Sequence, residues 1–206
     1  DVDLEVYSET LEDTWLHFLG GNAAGNTPYD RDTVAAESGK TASWVISGEP
    51  SPLTQEIQAI DPSIAIIHYG TNDMGMGSTY DSAMPSFYES MMTLMDQLID
   101  AGILPILTGI SHRSDNENAD HWVETYNAVI RGMAQGRQIP FIDLHLAMDP
   151  LPGNGLSTDG IHLNGYSYGP CIFTEDGLQY GYNMRNLIVL QALARVRAAL
   201  DANDVP

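Results

Sequence analysis

Apolar residues along this chain follow two patterns, continuous runs and helical spacing. Residues 64–69 form a nearly continuous apolar run with branched side chains. Such a run predicts a strand buried on both faces, as in a parallel sheet. Other apolar runs predict further strands at residues 103–110 and 139–146 and a brief one at 33–37.

Helical spacing marks the segments between these strands, and Trp15, Leu16 and Leu19 share one helical face. Helices are predicted over residues 11–19, 53–60, 82–101, 119–134 and 186–200, with a helix or turn at 41–46. This alternation predicts an α/β fold, a three-layer α/β/α sandwich with a mostly parallel central sheet, in one domain over residues 1–206. The active site of such a sheet lies beyond the C-terminal ends of its strands.

The chain has 28 acidic and 8 basic residues, and its net charge of −20 restricts the partners that it can bind. The negative electrostatic field repels nucleic acid, because binding to nucleic acid requires neutralised phosphates. Such an acidic composition is also typical of proteins adapted to salt or to high solubility. No apolar run approaches the roughly 18–20 residues that span a membrane. An acidic surface, a single lysine at position 40 and a first residue other than Met together favour a secreted protein.

The single cysteine, Cys171, leaves two alternatives open. It is either an ordinary buried thiol or, in a secreted protein, the partner of a cysteine elsewhere. In the second case the partner is expected in a segment that precedes Asp1.

Asp159 and His162 are the first candidates for chemistry. A spacing of three residues in one turn lets the carboxylate reach Nδ1 of the imidazole, which fixes its tautomer and stabilises the imidazolium formed in acyl transfer. Gly160 permits the tight backbone that this contact requires. Taken alone, the pattern also fits an ordinary surface turn.

Two further candidates follow predicted strands. Gly70-Thr71-Asn72-Asp73 comes directly after the 64–69 run, and the Asn72 amide could donate to a developing oxyanion. The backbone N–H of Gly39, after the 33–37 run, is a second candidate donor. The alternatives are that Asn72 and Asp73 cap the next segment and that Gly39 forms a turn.

Together, the GTND motif at 70–73 and the DGIHLN motif at 159–164 resemble the SGNH (GDSL-type) serine hydrolase family, over about residues 34–206. The resemblance implies His162 as general base, Asp159 as its partner, and Asn72 and Gly39 as oxyanion donors. It also implies hydrolysis of acyl or acetyl esters of carbohydrates or lipid-like molecules, with no metal or organic cofactor.

Other residues are pocket candidates. Thr71 and Asp73 flank Asn72, and Arg113 follows the 103–110 strand, where it could contact a substrate carbonyl or carboxylate. Four tyrosines lie C-terminal to His162 and form either an aromatic wall for a sugar or acyl group or a purely structural excursion: Tyr166, Tyr168, Tyr180 and Tyr182.

The nucleophile is where the chain departs from the family, because no Gly-Asp-Ser block occurs in its 206 residues. Ser8 is a weak candidate, since Val6-Tyr7 stands where the family has Gly-Asp, and residues 3–7 are too short and acidic for a buried central strand. We expect the first central strand and its serine in a segment upstream of Asp1, on a separate or cleaved peptide that completes the sheet. The alternatives are a catalytically inactive protein that binds a glycan or partner, and an inactive fragment of a larger secreted protein.

Overall fold

A computed structural model describes residues 9–19, 27–29 and 31–203 of the chain. Ser8 and residues 3–7, considered above as nucleophile and strand, lie outside this range. Three strands are present: β1 (Ile64–Ile67), β2 (Leu104–Thr108) and β3 (Phe141–Ile142). The α-helices are α1 (Glu9–Leu19), α2 (Ala42–Val45), α3 (Pro52–Ile60), α4 (Tyr80–Asp100), α5 (Glu117–Arg137), α6 (Leu144–Met148) and α7 (Gly181–Ala202), and short 3₁₀ turns cover Asp73–Met76, Pro152–Gly155 and Gly177–Gln179.

The strands form one sheet in the order β1-β2-β3, which confirms the predicted α/β fold with a parallel sheet. β1 and β2 pair in parallel from Ile64 opposite Leu104 to Ile67 opposite Leu107. On the edge of β2 away from β1, the Leu107 N–H donates to the carbonyl of Pro140, the residue that precedes β3, at 3.0 Å.

Three strand predictions need correction. Residues 33–37 form no strand and contain a turn at Val34 and Ala35, because the Val34 N–H donates to the Glu56 carboxylate and the Ala35 carbonyl accepts from the Tyr69 hydroxyl. The strand predicted at 139–146 has two residues, since the Asp143 side chain accepts from Leu146 N–H and starts α6. β1 is not buried on both faces: Ile66 is 39% exposed, and within the described ranges only β2 pairs with it.

Contacts group the molecule into two compact units. The first contains α1, Ser111–Asp120 and the chain from Ile142 onward; the second contains residues 27–110 and His121–Phe141. The predicted single domain stays a prediction. None of the described helices is long and apolar enough to cross a bilayer.

In the first unit, α1 and α7 share an apolar cluster formed by Leu11, Phe173, Leu178, Leu187 and Leu190. The half-buried Cys171 packs against this cluster, and burial raises the pKa of its thiol. Asn186 donates to the Cys171 sulfur at 3.7 Å. Burial of apolar surface of this kind is the main stabilising contribution to such a unit.

In the second unit, α4 packs on β2, and its Met91, Leu94, Met95 and Leu98 side chains are buried, whereas Ile99 is exposed. The end of β2 is held by a buried side chain, Asn127. Its Oδ1 accepts from Ile110 N–H at 2.7 Å and its Nδ2 donates to the Ile110 carbonyl at 2.9 Å. This paired contact satisfies backbone groups that the sheet leaves unpaired as the chain turns away.

Candidate active site

A closed turn carries Asp159 and His162 in the first unit. Leu156 and Leu163 form an antiparallel bridge, and inside it the Ser157 N–H donates to the His162 carbonyl at 2.7 Å. Gly160 has φ +71°, a conformation that glycine adopts without steric cost. A Cβ there would lie 2.5 Å from the Asp115 nitrogen, so the turn admits no side chain at this position.

The predicted contact between Asp159 and His162 is present. Asp159 Oδ2 lies 2.7 Å from His162 Nδ1, while Oδ1 accepts from the backbone N–H groups of Ile161 and His162, each at 3.0 Å. The Ile161 N–H, followed by the imidazole and the His162 N–H, lowers the pKa of Asp159 to about 2. The carboxylate is therefore ionised at neutral pH and accepts hydrogen bonds only.

This contact determines the tautomer of His162. Because Asp159 only accepts, Nδ1 of the neutral imidazole carries the hydrogen, and Nε2 keeps its lone pair. The His162 side chain is 65% exposed, and Nε2 has no hydrogen-bond partner in the described part of the chain. Such a nitrogen can take a proton from a hydroxyl group brought to it.

Arg113 belongs to the chain segment that contacts the same turn. Its Nε and Nη2 donate to the two oxygens of Asp115 at 2.7 and 2.9 Å, and this ion pair lowers the pKa of Asp115. Ser114 N–H donates to the Gly160 carbonyl at 2.9 Å. Arg113 thus stabilises the segment that supports the turn, and its role in a pocket stays a prediction.

The GTND segment follows β1 in the second unit. Asp73, a buried carboxylate, accepts from Gly70 N–H at 3.1 Å and from Ala42 N–H at 2.9 Å. Burial raises the pKa of Asp73, and these hydrogen bonds oppose that change. Asp73 therefore holds two chain segments together, a role that the sequence alone did not indicate because its partner Ala42 is distant along the chain.

Asn72 and Gly39 are brought into the same neighbourhood by this arrangement. Nδ2 of Asn72 donates to the Lys40 carbonyl at 2.9 Å, which leaves the second amide hydrogen available. Gly39 has φ +76° with open space where a Cβ would be, and its N–H is unpaired within the described residues. Both groups can donate to an anion. Thr71, between Gly70 and Asn72, is partly buried.

The tyrosines after His162 form a cluster in the first unit. Tyr166 stacks on Tyr180 at 4.9 Å between ring centroids and meets Tyr168 edge-on at 5.2 Å. Tyr168 is largely exposed. Tyr182 is tied by its N–H to the Asn164 carbonyl at 3.1 Å.

The chain belongs to the GDSL-like lipase/acylhydrolase family, whose model matches residues 5–168. The match extends N-terminally beyond the motifs that carry the resemblance and ends before α7. Membership makes the protein an esterase or acylhydrolase by class. A search of curated proteins finds no match.

Solved structures share the fold. A GDSL-like lipase from Bacteroides thetaiotaomicron VPI-5482 is 18% identical, with a TM-score of 0.59 over 77% of this chain and 73% of that one. The acetylxylan esterase Axe2 from Geobacillus stearothermophilus is 14% identical, with a TM-score of 0.57 over 76% and 68%. An acetyl esterase mutant solved with an acetate ion is 21% identical, with a TM-score of 0.55 over 78% and 71%.

Proposed function

We propose that this protein hydrolyses acyl esters through a serine nucleophile, with His162 as general base, Asp159 as the group that orients it, and Asn72 and Gly39 as oxyanion donors. The serine Oγ attacks the ester carbonyl while His162 Nε2 takes its proton. The same imidazole then protonates the leaving alkoxide, and water, activated in turn by His162, releases the acid. The nucleophile is Ser8 or a serine that precedes Asp1.

The observation that carries this proposal is the contact of Asp159 Oδ2 with His162 Nδ1 at 2.7 Å. An ionised carboxylate at that distance stabilises the imidazolium that forms when the base accepts a proton. A turn with a merely structural role would not require an exposed imidazole with an unpaired Nε2. Because the chain belongs to a family of lipases and acylhydrolases, we assign this geometry to ester hydrolysis.

Small, neutral acetyl esters of carbohydrates are the proposed substrates. Two solved relatives in fold are an acetylxylan esterase and an acetyl esterase. The net charge of −20 disfavours anionic substrates. In the cluster of Tyr166, Tyr168 and Tyr180, the Tyr168 ring is 80% exposed, and a sugar can stack on it.

The decisive experiment is labelling of the native protein with a fluorophosphonate, followed by mass spectrometry of every peptide present. We expect one labelled serine, and we expect the labelling rate to fall in His162→Ala. Labelling at Ser8 or on an upstream peptide would identify the nucleophile. A folded protein with no labelled serine would contradict the proposal.

Such a negative result would favour a non-catalytic protein that binds a glycan or partner. One observation supports this second candidate: within the described residues, no serine hydroxyl is bonded to His162 Nε2. Retention of an acetylated oligosaccharide without hydrolysis would distinguish it from an inactive fragment.

Replacing Asn72 with alanine is expected to lower kcat by about 10²- to 10³-fold with a smaller change in KM, because an oxyanion donor acts mainly in the transition state. Steady-state kinetics on a chromogenic acetate ester measures this. Asn203→Ala is the matched control, since Asn203 is also exposed and donates from its side-chain amide to a backbone carbonyl, that of Ala199. An equal loss of kcat in both variants would contradict the assignment.

A further inference from the structure

Three side chains of the first unit that do not belong to the Asp159–His162 turn lie close to one another. His112 follows β2, while His145 and Asp149 lie one helical turn apart on α6 and at its end. His112 Nε2 is 2.7 Å from Asp149 Oδ1, and His145 Nδ1 is 4.0 Å from the same oxygen. One ligand atom from each of the three residues lies within 4.8 Å of the other two.

We propose that His112, His145 and Asp149 bind a divalent transition-metal ion, with Zn²⁺ as the preferred occupant. Imidazole nitrogens with one carboxylate oxygen are a ligand set that Zn²⁺ accepts, whereas Ca²⁺ and Mg²⁺ prefer oxygen ligands alone. This site takes no part in the ester chemistry proposed above, and it does not depend on that function.

The distances suit such an ion after small side-chain rotations. Zinc bonds of about 2.0–2.1 Å place tetrahedral ligand atoms roughly 3.3 Å apart. The measured separations, from 2.7 Å to at most 4.8 Å, bracket that value. The side chains of His112 and His145 are largely buried, at 12% and 19% exposure, while Asp149 is 48% exposed. Water can therefore complete the coordination from the side of Asp149.

The two imidazoles are also placed to share one ion. The rings of His112 and His145 lie against each other with centroids 3.7 Å apart. One nitrogen of each ring and one oxygen of Asp149 therefore lie within reach of a single ion. A neutral imidazole is the form that binds metal.

A carboxylate, that of Asp120, lies next to the proposed ligand His112, as is common in metal sites. Asp120 Oδ1 is 3.8 Å from His112 Nδ1, the nitrogen that faces away from the shared ligand oxygen. The same oxygen accepts from Arg113 N–H at 2.7 Å. A short movement would let His112 donate to Asp120, a contact that orients a metal-bound imidazole and raises its basicity.

The consequence of binding is a cross-link between the segment after β2 and α6. His112 is two residues from Ser114, whose N–H donates to the Gly160 carbonyl of the catalytic turn. An ion held by His112 would fix this segment, and because it binds the folded chain only, it would raise stability by mass action.

Calorimetric titration of the chelator-treated full chain with ZnSO₄ tests the proposal, together with elemental analysis of the metal bound. We expect one ion per chain with micromolar or tighter affinity, a Tm raised by about 5 °C at a hundredfold excess over Kd, and no displacement by excess Ca²⁺. With Co²⁺ in place of zinc, histidine ligation produces the visible absorption of a low-coordinate site.

Variants decide whether these residues hold the ion. His145→Ala and Asp149→Asn are each expected to weaken zinc binding more than tenfold, and His121→Ala, an exposed histidine outside the cluster, should bind as the wild type does. Asp149→Asn replaces an exposed carboxylate by a side chain of the same shape, so it keeps the test valid if His145→Ala fails to fold. Absence of micromolar binding, or binding unchanged in both ligand variants, would overturn the proposal.

Discussion

Alanine at position 162 is expected to lower kcat/KM for a chromogenic acetate ester by about 10⁴-fold or more. The imidazole takes the serine proton and returns it to the leaving group, and in the described part of the chain no other group occupies its position beside Asp159. The side chain is mostly exposed, so stability should change by less than about 0.5 kcal/mol. Activity would therefore be lost with the fold intact.

His121→Ala is the matched control, because His121 is an exposed histidine on α5 that we assign no part in the reaction. Circular dichroism and Tm should be the same for wild type and both variants. If His162→Ala retained more than a tenth of the wild-type kcat/KM, the general base would be another residue. If both variants lost activity equally, the effect would not be specific to the turn.

Local patterns allowed much of this fold to be predicted. α3, α4, α5 and α7 were predicted because their apolar residues repeat with helical spacing over two or more turns, and β1 and β2 because branched apolar residues run together. The segment 33–37 was misread since its backbone bonds to Glu56 and Tyr69, which are distant along the chain. Short apolar runs carry no information about such partners.

The same distinction between local and distant contacts applies to the candidate sites. Asp159 and His162 are three residues apart, so the sequence predicts their contact directly. The bond of Asp73 to Ala42 joins segments 31 residues apart and appears only in the fold. The proposed metal site was not predicted from the sequence. Residues 139–146 were predicted as a strand, in which His145 and Asp149 would not lie one helical turn apart, and His112 is distant from both along the chain.

Asparagine at position 159 is expected to lower kcat/KM by about 10³- to 10⁴-fold although it keeps the shape of the side chain. Its Oδ1 can still accept from the N–H groups of Ile161 and His162, which directs Nδ2 at the imidazole. Because Nδ2 donates, His162 Nδ1 must accept, and the ring hydrogen moves to Nε2. The nitrogen that should act as base then carries a proton.

This prediction separates the orienting role of Asp159 from that of a simple surface charge. The ¹⁵N chemical shifts of His162 should report hydrogen on Nδ1 in the wild type and on Nε2 in Asp159→Asn, and Asp100→Asn, an exposed carboxylate at the end of α4, should change neither tautomer nor rate. Because the pKa of Asp159 is lowered to about 2, the carboxylate stays ionised above that pH and keeps the hydrogen of the neutral imidazole on Nδ1. A rate loss below tenfold with an unchanged tautomer would mean that Asp159 shapes the turn but does not orient the base.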